Sequence, residues 1–145
     1  AFLHGDIGHL FFNMIGLWMF GGELERLWGQ KRYIHFLLAG ALSAAAVQIV
    51  WTMLIGSRVP TVGASGAIFA LLLAFGMLFP NRTIMLLIPP IPMKAKFFVA
   101  IFGALELVLG FMGGGGVAHF AHLGGMLGGF LMIRFWRGQS PFGKR

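Results

Sequence analysis

The chain has 145 residues, 58% hydrophobic and only 10% charged, with a mean hydropathy of +0.86. A soluble domain of this size carries about a quarter charged residues, so the composition indicates an integral membrane protein. The formal charge of +7 comes with no basic stripe interleaved with exposed aromatics, which argues against nucleic acid; the absence of cysteine excludes disulfide and thiolate chemistry.

In chain order, Ala1 to Gly8 reads as the end of a loop, with polar His4 and Asp6. The chain shows no signal-peptide pattern and no initiator methionine, the expectation for a fragment or processed chain. From His9 to about Gly22 the sequence turns apolar, a first membrane helix; Glu23 to Arg32 reads as a charged loop. Tyr33 to about Ile55 is long enough to span a hydrocarbon core of ~30 Å. Gly56 to Thr61 reads as a loop with Arg58 and Pro60.

Val62 to Phe69 is a small, glycine-flanked stretch that runs into the apolar helix Ser65 to Phe79, which Pro80-Asn81 ends. That helix is shorter than the roughly 20 residues of a full span. Ser65 is therefore expected below the bilayer surface, reached by non-helical backbone at Gly63 and Ala64, which is tolerated at depth only inside protein or a wet cavity. Pro80 to Lys96 is the longest connection, and Thr83 to Ile88 within it reads as interfacial. Phe97 to Met112 is the fourth helix, Gly113 to Gly116 a tight connection, Val117 to Phe135 the fifth helix, and a basic tail of about 136–145 follows. The expectation is one domain over 1–145, an all-α polytopic transmembrane bundle of five spans.

Five spans put successive loops on alternating faces. Arg26, Lys31, Arg32, Arg82, Lys94, Lys96, Arg134, Arg137, Lys144 and Arg145 fall on one face, and Arg58 alone of the 11 basic residues on the other. The positive-inside rule makes the first face, with the C-terminus, cytoplasmic. His9 and Asn13, Ser65, and His119 and His122 then begin three different helices, all from the extracytoplasmic side. Polar groups inside a bilayer are expensive and mark function, and chance would scatter them over both faces.

A serine hydroxyl is a weak nucleophile until a base takes its proton. His122 is the candidate base, because Gly125 and Gly129 form a small-residue face that lets another helix approach closely. His9 and Asn13, four apart, share a helix face; with the Ser65 backbone N–H they would make an oxyanion hole. The unpaired N–H groups and positive dipole end at a helix start suit an oxyanion, and Gly63 and Gly66 permit close approach. His119 reads as a structural or cavity-mouth residue, His4 as a loop residue and His35 as interfacial at the cytoplasmic end. Asp6 has no spacing that makes it a third catalytic member, so a Ser–His dyad is favoured. Glu106, an isolated acid in an apolar run, reads as a buried structural hydrogen-bonding group. Glu23, Glu25 and Arg26 read as a loop-anchoring ion-pair group of modest energy. His9, His119 and His122 resemble a zinc set on paper, but no metal or cofactor is implied.

These residues resemble the rhomboid intramembrane serine proteases. The likeness rests on Gly63-Ala64-Ser65-Gly66, on Ala121-His122-Leu123-Gly124-Gly125, on His9-Leu10-Phe11-Phe12-Asn13, and on Gly21-Gly22 with Glu25, and it covers nearly the whole chain. The resemblance implies Ser65 as nucleophile, His122 as general base, and His9, Asn13 and the Ser65 amide as oxyanion donors. It implies transmembrane protein substrates cut in or near their membrane segments, often after a small residue and aided by helix-weakening residues. It implies a six-helix core whose first helix is missing from this chain, and Phe69 where many members have a tyrosine against the catalytic histidine. A bacterial inner membrane, with the site open to the extracytoplasmic side, is expected; the oligomeric state is not legible. Two other readings compete: an inactive rhomboid-like protein that binds transmembrane segments, and a small transporter. The first would lack the dyad, and the second would need paired intramembrane charges or symmetric broken helices.

Overall fold

The computed structural model describes residues 7–56, 65–85, 90–112 and 117–138. The chain forms α1 (Ile7–Gly16), a π-helical turn (Leu17–Gly21), α2 (Gly22–Trp28), α3 (Gln30–Ile55), α4 (Ser65–Leu78), strands β1 (Thr83–Met85) and β2 (Pro92–Lys94), α5 (Ala95–Met112) and α6 (Val117–Trp136). The expected helical architecture is present, with two local differences. The expected loop Glu23 to Arg32 is helix except at Gly29, with Glu23–Trp28 in α2 and Gln30–Arg32 in α3: Glu, Leu and Arg are good helix formers, Leu24 is fully buried, and the Arg26 guanidinium donates to the Gly22 carbonyl at 3.2 Å. Gly29, at φ +81°, breaks the chain before α3. Thr83 to Met85 is a strand, paired antiparallel with Pro92–Lys94 through Thr83↔Lys94, Ile84↔Met93 and Met85↔Pro92. Ile84 points inward between exposed Thr83 and Met85, the period-two pattern of a half-buried strand.

α4 is the axis of the bundle. It packs on α3, α5 and α6 and touches α1, the π turn and α2, and no residue along it is exposed. Small residues make the approach possible. A Cβ added to Gly66 would strike Ala44 of α3, one on Gly40 would strike Ala70, and one on Gly128 would strike Ser43. The Ser43 hydroxyl also donates to the Gly124 carbonyl at 2.6 Å, tying α3 to α6. At the opposite end from Ser65, Trp28, Phe36 and Trp136 cluster, and Arg82 pairs with Glu23 at 2.5 Å while lying over the Phe79 ring.

Large apolar side chains are exposed along the outer faces of α3, α5 and α6, among them Leu42, Met53, Val108, Phe111 and Phe135. So extensive an apolar surface suits lipid rather than water. Among the described residues, one helix (Gln30–Leu54) is long and apolar enough to cross a membrane by length and composition, and Ser65–Leu78 is a shorter apolar helix.

Candidate active site

Ser65 is the first residue of α4, where the backbone N–H groups of the opening turn have no partner within the helix. His122 lies in the second turn of α6. The Ser65 Oγ and His122 Nε2 are 2.9 Å apart. Close backbone contact sets that distance: a Cβ on Gly125 would run into the carbonyl oxygen and carbon of Gly66, and one on Gly129 would stand 3.1 Å from the Ala70 Cβ. Phe69, one turn after Ser65, stacks on the His122 ring with centroids 4.2 Å apart and planes within 9°. The imidazole is thus held flat against α4 with its Nε2 edge toward the serine.

The other edge faces α5. Glu106 Oε2 lies 2.5 Å from His119 Nδ1 and 3.0 Å from His122 Nδ1. Glu106 is 8% exposed. The 2.5 Å contact is a short hydrogen bond, whereas the His122 Nδ1 contact is off the ring's N–H direction, leaving that buried nitrogen without an aligned partner among the described residues. The three ligand atoms lie within 4.8 Å of one another, a spacing a metal ion would accept. Glu106 Oε2 and His119 Nδ1 themselves stand at hydrogen-bond distance.

Asn13 is 6% exposed, and its Nδ2 has no hydrogen-bond partner among the described residues. It lines a cavity of about 560 Å³ with Gly16, Ile68, Phe69, Met85 and Phe102, between α1, α4 and α5. His9 belongs to α1, but its side chain lies outside the described residues, as do Gly63, His4, Asp6, Arg58, the glycine run 113–116 and the tail beyond 138. The structure therefore brings together Ser65, His122, Phe69, Gly66, Gly125 and Gly129, and sets Asn13 in the cavity that Phe69 also lines. Sequence reasoning left Glu106 outside this group. Its depth was the available signal: Glu106 is six residues before the end of α5 and His122 five after the start of α6, about 9 and 7.5 Å along adjoining helices.

A helical bundle with a lipid-type exterior and a partly buried polar cluster at the start of its short central helix defines an integral membrane protein with an internal site. A family model for the rhomboid domain matches residues 1–138, and the chain belongs to the rhomboid family, whose members are integral membrane proteins. It is 32% identical over 136 residues to Rhomboid protein 1, mitochondrial, of Saccharomyces cerevisiae, covering 90% of this chain and 38% of that protein. It is 33% identical over 135 residues to Rhomboid protease GluP of Bacillus subtilis, covering 88% of this chain and 23% of that protein. RHOMBOID-like protein 12, mitochondrial, of Arabidopsis thaliana is 33% identical over 141 residues, covering 86% and 41%. The chain thus spans less than half the length of each of these relatives. No solved structure matches. With two mitochondrial proteins among these three relatives, the expected bacterial inner membrane is not supported.

Proposed function

We propose that this chain is the catalytic core of an intramembrane serine endopeptidase that cleaves transmembrane protein segments. The observation that carries the reading is the 2.9 Å approach of Ser65 Oγ to His122 Nε2 at the start of a short, enclosed helix. In the reaction, Ser65 Oγ attacks the scissile carbonyl and its proton passes to His122 Nε2. The oxyanion is received by the Ser65 backbone N–H, by Asn13 Nδ2, which has no other described partner, and by His9. His122 then protonates the leaving amine, and a water deprotonated by His122 hydrolyses the acyl-serine. The mostly apolar cavity beside Asn13 and Phe69 suits an apolar segment that has left its helix to expose a peptide bond. The helices count as five spans, with the site toward the face that carries Arg58 alone among the basic residues.

The test is labelling of the full-length protein in detergent with a fluorophosphonate probe, beside Ser65→Ala and His122→Ala. Labelling of the wild type alone supports the reading. Labelling that persists in Ser65→Ala refutes the nucleophile. Folded wild type that neither labels nor cuts a transmembrane substrate refutes the protease, and leaves the inactive binding protein.

A further inference from the structure

We infer that Glu106 is the positioning residue for His122, making the site a relay of Ser65, His122 and Glu106 rather than a simple pair, with His119 as the second donor to the same carboxylate. The inference rests on the protease reading. Three observations carry it. Glu106 Oε2 lies 3.0 Å from the one nitrogen of His122 that does not face the serine. That nitrogen is buried and makes no aligned hydrogen bond with any described residue, so the nearby carboxylate is its one ionic neighbour among them. The same oxygen is bridged to His119 Nδ1, which fixes the carboxylate against α6.

A dyad histidine has a problem of its own. It must present the Nε2 lone pair to the serine, so its proton must sit on Nδ1, and nothing in a Ser–His pair enforces that tautomer. A carboxylate beside Nδ1 enforces it and stabilises the imidazolium that forms when the serine proton arrives. An ionised glutamate in a membrane helix is costly alone; two ring N–H donors on one oxygen reduce that cost. Among the described residues, the titratable groups facing His122 are Glu106 from α5 and His119 from its own helix; α4 contributes Ser65 and Phe69.

The test compares wild type with Glu106→Gln in the full-length protein, measuring kcat and KM on a transmembrane substrate together with the unfolding midpoint. Ser65→Ala serves as the reference for zero chemistry. The expected result is a fall in kcat of about 10²-fold, with KM within twofold and the protein folded. Wild-type kcat in folded Glu106→Gln overturns the inference while leaving the protease reading intact. A second measurement needs no variant: nitrogen NMR of histidine-labelled wild type should find His122 protonated on Nδ1 at rest. Protonation on Nε2 instead overturns the inference even if the variant fails to fold.

Discussion

Replacing Gly125 with alanine should disable the site without touching any reacting group. The added methyl would overlap the Gly66 carbonyl oxygen and carbon, with the Gly66 Cα 3.1 Å away. All three are backbone atoms, so no side chain can swing aside. Carbon contacts are optimal at about 3.5–4.0 Å, so α6 and α4 must part by on the order of 1 Å at this crossing. Overpacking of this kind costs about 1–3 kcal/mol of stability. The effect on chemistry is sharper, because Gly66 follows the serine directly and Gly125 lies one turn from His122. A 2.9 Å approach stretched by that amount is no longer a hydrogen bond, and a misplacement of about 1 Å costs on the order of 10²-fold in rate. The assay is the second-order rate of fluorophosphonate labelling, read with a thermal unfolding curve. Gly103→Ala is the control: its methyl would stand 3.3 Å from the flexible end of Met126, which can yield. Gly125→Ala that unfolds and labels like wild type would refute the argument that backbone contact sets the Ser65–His122 distance.

Two further outcomes follow from the same geometry. Asn13→Leu should lower kcat by about 10²–10³-fold if its amide receives the oxyanion, yet leave the unfolding midpoint unchanged or raised, because the buried Nδ2 has no described partner to lose; a full kcat would remove Asn13 from the site. Phe69→Ala should cut the labelling rate about tenfold by freeing the His122 ring, whereas Phe69→Tyr should label within a few-fold of wild type, and equal rates in both variants would sink the stacking role.

The helices were legible because long apolar runs ended by Pro80, Gly56 or charge leave few alternatives in a membrane. The Gly125–Gly129 face was legible for the same reason: small residues at that spacing have little use except close approach. Glu23 to Trp28 was not, since charge density reads as loop, while the burial of Leu24 and the reach of Glu23 to Arg82 depend on parts distant in sequence. Nor was the hairpin, because Thr83 to Met85 is too short to show its alternation until Pro92 to Lys94 lies beside it. Glu106 illustrates a different limit. Its chemical type was noticed, but a helix pattern gives a face and a depth, not a partner on the next helix.

The enclosure of α4 also decides how the molecule meets membranes of different thickness. Fourteen residues make a rod of about 21 Å, shorter than a hydrocarbon core of about 30 Å. On a lipid-facing helix that shortfall would thin the bilayer or draw in its head groups. Here the neighbouring helices absorb it, and the lipid meets α3, whose 26 residues reach about 39 Å and adapt to a thinner bilayer by leaning. The position of Ser65 is therefore set by the packing of α4 against α3, α5 and α6, and not by lipid contact along α4.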